Sequence, residues 1–436
     1  MAISIPDKDY IAFVASGGGA KAWFFHVGAC LALEERGFLF DGGLIGEPPM
    51  RKGKFLCDRY VGSSGGAIFA ALTASGFSPQ QQADTYTRTW ISHLLRRMAN
   101  RTADYPRPLR KLSYWDGISF NRRFFGDFFR GWRHIDRLKY GGIDSLLYYL
   151  LSFGTPLSSH GIARFMNKEL PTDEFSALRV DCNIVATLND PTPQLARIIF
   201  GKERRDDPGM RVAYRDSVPI STAVAASCAL TGLFAPVTVE IEGRQYDLID
   251  GEIHKTLSTH VARDKIILDK ERDGNPDAEG LILASYTHQP YPCNERYGPL
   301  RKFGLLLNIQ QAIYIAVASR IDLAQELHEV KTIVDEEIVN FCRDQEIPEE
   351  AWQKMRQRLH RRIGYDPKID YLFIHPRRDD AEFFLAGNHF DLTTGLRRVV
   401  EKGYEAGLAA LRKCDFRRLR PVRGEAASGV CTTVAS

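Results

Sequence analysis

An α/β fold with a mostly parallel central sheet is predicted by two observations near the N-terminus. The runs "YIAFVAS" (residues 10–16) and "FLCDRYVG" (residues 55–62) are short, apolar and closed by small residues or glycine, the pattern of buried strands. Each is followed by apolar residues at helical spacing, in "AKAWFFHVGACLALEERG" and in "GGAIFAALTASG", with Gly37 and Gly76 as helix stops. Strand, helix, strand, helix in succession is how a parallel sheet covered by helices is written in sequence.

The remaining elements follow in order. A polar, Gly/Pro-rich loop is expected between Gly37 and Phe55. From about residue 77 to 161 the periodicity loosens, and residues 96–139 mix arginine with aromatic side chains, as in "RRFFGDFFRGWRH". This reads as an insertion over the core, not a sheet element. "LRVDCNIVATLND" returns to strand character, and "VTVEIEGRQYDLID" reads as a hairpin turning at Glu242-Gly243. "GLILASYTH" is a further buried strand. Helix formers dominate residues 300–361, "YLFIHP" is a late strand, and "LTTGLRRVVEKGYEAGLAALRK" is a final amphipathic helix. The resulting division is a main α/β domain over 8–290 carrying an inserted cap at about 85–165. A mainly helical region over 291–412 packs on it, and residues 413–436 are expected to form a disordered tail.

With 44% hydrophobic and 26% charged residues the chain has the composition of a globular protein with a sizeable core. A net charge of +4 is too weak to argue for nucleic acid. The eight cysteines are scattered without zinc spacing, so no metal site is expected. "MAISIPDKDY" is too short and too charged for a signal peptide, and about eighteen consecutive apolar residues occur nowhere. A cytoplasmic location is the expectation.

Two motifs carry chemistry. In "GSSGG" the G-x-S-x-G frame falls on Gly62, Ser64 and Gly66, which makes Ser64 the nucleophile candidate and Ser63 its neighbour. A sharp strand-to-helix turn thrusts one hydroxyl outward, and it leaves the Gly65 amide and a helix N-terminus facing developing negative charge. "SGGGAKA" (residues 16–22) stands between the first strand and first helix. It lacks P-loop spacing, and a dinucleotide fingerprint would need glycine where Ala22 stands. Gly17, Gly18 and Gly19 fit better as an oxyanion loop, with Lys21 steadying that loop, meeting a phosphate, or standing as a solvated helix-start residue.

The base is harder to read. His375 and His389 lie late in the chain in no distinctive context, and His26 and His254 read as packed or surface histidines. Asp250 ends an apolar strand and precedes glycine, so its carboxylate can project from the sheet edge; by itself Asp-Gly is most often a turn.

The order of "SGGGAKA", "GSSGG", "AASCALTGLFAPV" and "DG" resembles the patatin-like phospholipase family, over residues 10–251. The resemblance implies a Ser–Asp dyad instead of a triad. Ser64 stands as the nucleophile, Asp250 as the base, and Gly17, Gly18 and Gly19 as the oxyanion loop. The chain departs from the family pattern at Ala22, at Thr231 and at Glu252, which follows Asp250-Gly251. The implied activity is hydrolysis of carboxylic esters of lipids through an acyl-enzyme, of phospholipase A or lysophospholipase type, with no cofactor. A free aspartate, with a pKa of about 3.9, is poorly matched to this task, so burial is expected to raise it. The arginine- and aromatic-rich segment 96–139 fits peripheral contact with an anionic membrane surface, or a cap packed on the core. "IDRLKYGGIDSLLYYLLSFG" would line an acyl channel or simply pack. Rival readings are a nucleotide-binding loop, a catalytically silent lipid-binding or scaffold protein, and an acyltransferase built on the same acyl-enzyme.

Overall fold

The computed structural model of the chain describes residues 3–48, 55–87, 108–112, 119–121, 155, 157–385 and 395–416. The arginine-rich segment 96–139, apart from 108–112 and 119–121, lies outside these residues, as does His389.

The chain builds an eleven-stranded sheet. Its strands are β1 (Tyr10–Ala15), β2 (Phe38–Phe40), β3 (Phe55–Gly62), β4 (Asp181–Leu188), β5 (Arg197–Phe200), β6 (Arg205–Asp207), β7 (Val212–Arg215), β8 (Val237–Ile241), β9 (Arg244–Ile249), β10 (Gly280–Ser285) and β11 (Ile369–Ile374). The order β11-β10-β1-β3-β4-β5-β7-β6 is parallel from β11 to β4. The helices that matter below are α1 (Gly19–Glu34), α2 (Gly65–Ala74), α3 (Ile220–Ser227), α4 (Thr259–Arg272), α5 (Leu305–Asp344), α6 (Glu349–Ile363) and α7 (Gly395–Leu411).

Side-chain alternation sorts the core into two layers. Ile11, Phe13 and Ala15 point to the side of α1, α2 and α7, while Tyr10, Ala12 and Val14 point to the side of α4 and α5. Strands covered on both faces are apolar throughout, which is why "YIAFVA" shows no polar position.

Three features differ from the sequence reading. The loop after α1 contains a strand, β2, paired with the start of β3. β11 belongs to the main sheet as its edge strand beside β10, and α7 packs along α1, so the C-terminal region completes the core. Residues 414–416, expected in the tail, are part of the fold: Cys414–Asp415 pairs with Ile3–Ser4, and Phe416 packs on Phe38 and Phe55, while the rest of the expected tail lies outside the described residues.

One topological feature creates the site. β4 pairs with β3 through Gly62↔Ile184 and, further along the same flank, with the antiparallel β9 through Thr187↔Ile249. Its opposite flank is taken by β5, which spans Ile184 to Thr187. β3 and β9 therefore run toward each other along one side of β4 and meet end to end. The residues leaving their carboxyl ends, Ser63-Ser64 and Asp250, are forced together. The β8–β9 turn that aims β9 has Glu242 and Gly243 both at positive φ (54° and 76°), the type I′ geometry of a tight hairpin.

Candidate active site

Ser64 sits between β3 and α2 with φ 52° and ψ −123°, a conformation that a non-glycine residue holds only when its surroundings impose it. The restraints are explicit. The Ser64 N–H donates to Ser227 Oγ at 2.8 Å, and Ser227 Oγ donates in turn to the Val185 carbonyl at 2.6 Å. Gly66 packs so closely on the end of β1 that a Cβ there would lie 2.2 Å from the Ala15 carbonyl oxygen. A Cβ on Gly65 would lie 2.0 Å from the Gly19 carbonyl oxygen and 3.2 Å from the Gly19 nitrogen. Gly65 and Gly66 are thus required by direct backbone-to-backbone contact, and the contact of Gly65 with Gly19 brings the first turns of α1 and α2 together.

Asp250 is buried one residue beyond β9. Its backbone N–H donates to the Ala229 carbonyl at 3.0 Å, and Gly251 donates to the Ser227 carbonyl at 3.3 Å. Oδ1 accepts the Glu252 N–H at 2.9 Å, and the carboxylate is a hydrogen-bond partner of the Ser64 side chain. Burial pushes the Asp250 carboxyl up to about 6, against the lowering effect of those two hydrogen bonds.

The other expected site residues fall into place around this pair. Gly17 N–H donates to Glu252 Oε1 at 2.9 Å, so that amide is committed to a carboxyl group. Gly18, at φ 128°, makes the turn into α1. Gly19 and Gly65 are the first residues of α1 and α2, where an N–H has no carbonyl four residues back in its own helix. Lys21 is buried, and its ammonium donates to the Phe383 and Phe384 carbonyls while sitting 4.0 Å from the centre of the Phe383 ring. Burial pushes it down to about 7, opposed by Asp380. It ties α1 to the C-terminal segment.

Among the described residues no histidine is paired with Ser64 or Asp250. His26 donates from Nε2 to the Ser16 carbonyl at 2.9 Å and accepts at Nδ1 from the Ser285 hydroxyl at 2.8 Å, and burial lowers it to about 4. It is a neutral brace under the glycine loop. His375 donates from Nδ1 to the Pro376 carbonyl and stacks on Tyr286. His254 lies on the exposed loop after Gly251.

Two contributors escaped the sequence reading. Ser227, inside "AASCALTG", touches the Ser64 amide and the Gly251 amide next to Asp250 together; its apolar neighbours gave no sign of a buried serine bonded to both loops. Glu252 is buried, with Oε2 accepting from Leu257 N–H at 3.3 Å besides the Gly17 contact. Burial first, and the Asp250 charge second, push its carboxyl up to about 8. Its departure from the expected pattern was visible; its bond to Gly17, 235 residues away, was not.

Among the described residues no helix is long and apolar enough to cross a membrane. No curated protein matches the chain. The model of the patatin-like phospholipase family matches residues 13–263, more than half the sequence, from within β1 into α4 and across both Ser64 and Asp250. The chain is a member of the patatin-like phospholipase family.

Proposed function

We propose that the protein hydrolyses acyl esters of lipids by a two-step transfer in which Ser64 is the nucleophile and Asp250 the sole side-chain base. The observation that carries this reading is a serine held at positive φ with its side chain hydrogen-bonded to a buried aspartate whose carboxyl is raised to about 6. A base near 6 is ionised at neutral pH and closer to a serine hydroxyl than an exposed carboxylate is.

In the first step Asp250 takes the Ser64 proton as Oγ bonds to the ester carbonyl carbon. The carbonyl oxygen becomes an oxyanion facing the Gly19 and Gly65 amides, where two helix N-termini converge. Collapse of this intermediate breaks the ester C–O bond, and Asp250 returns the proton to the departing alcohol. Water then attacks the acyl-enzyme, Asp250 accepts its proton, and the fatty acid leaves as Ser64 is restored. Phospholipids or lysophospholipids are the substrate class the family points to.

Labelling with a fluorophosphonate probe tests the assignment in wild type, Ser64→Ala and Asp250→Asn, alongside fatty acid release from phospholipid vesicles. Wild type is expected to label and hydrolyse, Ser64→Ala to do neither, and Asp250→Asn to lose hydrolysis. Labelling that survives Ser64→Ala overturns the choice of nucleophile.

A further inference from the structure

On the face of the sheet covered by α4 and α5 lies a buried arginine without a carboxylate partner. Arg197 opens β5 and pairs across the ladder with Thr187 of β4, so their side chains point to the same face as their neighbours Ile199 and Val185. Arg197 is 1% exposed and Thr187 4%. The Arg197 guanidinium meets His260, in the first turn of α4, through Nη1···Nε2 at 2.9 Å, and its Nη2 reaches the Met210 carbonyl at 3.4 Å. The carboxylates whose charge reaches Arg197 are engaged elsewhere. Asp207 Oδ1 accepts the Met210 N–H at 3.0 Å, and Asp264 is bonded to Arg263. Arginine is rarely this buried unless an anion accompanies it.

The contact with His260 leaves donors over. Arg197 can only donate, so His260 Nε2 accepts and the imidazole proton is on Nδ1. That Nδ1, Arg197 Nε and Thr187 Oγ1 are buried with no hydrogen-bond partner among the described residues. More cations arrive from other elements. Lys255 and His254 stand on the loop that leaves Asp250, Lys255 half-buried and His254 exposed at the rim. Arg211, whose carbonyl accepts the Arg197 N–H at 3.2 Å, has its own Nε unpartnered. Burial first, then Arg197, push the Lys255 ammonium down to about 8, and burial, Lys255 and Arg197 together keep His260 neutral. Arg263 and Lys331 add to the positive field, but they donate to the Gly364 and Ile363 carbonyls at the end of α6. Asp264 is the one acid whose charge offsets it at Lys255.

Buried donors that lack acceptors are costly, and a ligand rich in acceptor oxygens removes the cost. We propose that Arg197, Lys255 and His260 bind a phosphoryl group, with Thr187 and Arg211 beside it. A carboxylate presents its two oxygens in one plane. The oxygens of a phosphoryl group spread tetrahedrally and suit a guanidinium, an ammonium and an imidazole N–H that approach from three different elements. The site lies close to the dyad. Arg197 and Ile249, the residue before Asp250, both pair with Thr187, one on each flank of β4, so their backbones are about 10 Å apart. Two sources can supply the group: the phosphate of an acyl-ester lipid held at the dyad, or free phosphate. The binding stands independently of the catalytic reading; only the lipid source rests on it.

Thermal unfolding of the full chain tests it, in sodium phosphate against acetate and chloride at matched ionic strength. A second arm adds dihexanoylphosphatidylglycerol below its micelle concentration to the Ser64→Ala chain, so that turnover at Ser64 does not consume the lipid. At least one of the two phosphoryl ligands is expected to raise the midpoint by several degrees, saturably, while acetate and chloride do not. Lys255→Met and Arg197→Met are each expected to weaken that binding at least about 30-fold. Without ligand, Arg197→Met is expected to unfold no earlier than its parent, because methionine replaces a buried unpaired charge, and Lys255→Met is expected to keep the circular dichroism spectrum unchanged. A response to the lipid alone, lost in both variants, identifies the lipid phosphate as the ligand; a response to inorganic phosphate, lost in both, identifies a site that free phosphate fills. Acetate that stabilises as well as phosphate overturns the phosphoryl assignment. No response to either phosphoryl ligand, or one that survives both substitutions, overturns the site.

Discussion

Replacing Asp250 by asparagine removes the proposed base and is expected to make the protein more stable at neutral pH. The aspartate is buried, and burial raises its carboxyl from 3.8 to about 6. A folded-state value above the unfolded one means that the folded chain holds the proton more tightly, so folding free energy is lost as pH rises between the two values. A rise of about two units corresponds to about 3 kcal/mol once the group is ionised. Asparagine keeps the shape: its Oδ1 still accepts the Glu252 N–H, and its Nδ2 can donate to Ser64 Oγ. It also removes the charge that raises Glu252, which acts in the same direction. Thermal unfolding of wild type and variant, followed by circular dichroism from pH 4 to 8, reads the effect. The two are expected to coincide near pH 4, to separate up to about pH 6, and to differ by several degrees in Tm above it, with ester hydrolysis lost throughout. A variant no more stable than wild type at pH 7.5, or one stabilised equally at pH 4, would refute the argument that a buried carboxylate is held ionised for catalysis at a cost in stability.

Other consequences can be measured directly. Hydrolysis is expected to rise with pH through about 6 as Asp250 ionises, and Glu252→Gln is expected to remove any second inflection near 8 while leaving the first. Ser227→Ala leaves the Ser64 N–H and the Val185 carbonyl without their partner, costing about 1–3 kcal/mol in denaturant unfolding. It should also lower kcat more than KM, because the turn that aims the nucleophile loosens. Gly65→Ala must push α1 and α2 apart, since its Cβ would sit 2.0 Å from the Gly19 carbonyl oxygen; fluorophosphonate labelling is expected to be lost even where the variant folds.

Much of this protein was legible in one dimension because local rules decide it. The strand β1 is named by its unbroken apolar run, the hairpin turn by Glu242-Gly243, and Ser64 by glycines spaced for a tight strand-to-helix turn. Such signals are short-range: they depend on φ preferences and on the period of side chains along a chain. Asp250 was harder, because an aspartate before glycine means a turn unless something else buries it. What buries it is the end-to-end meeting of β3 and β9 on one flank of β4, a contact between residues 186 positions apart, Ser64 and Asp250. The use of the Gly17 amide by Glu252, the brace of Ser227 beneath the Ser64 and Asp250 loops and the commitment of Lys21 to the C-terminal segment are likewise products of chain crossing. Sequence determines which backbone can bend and which stretch can be buried. Only the assembled sheet decides which buried polar groups meet, because an unpaired polar atom in the interior is costly and the fold must find it a partner wherever the chain passes.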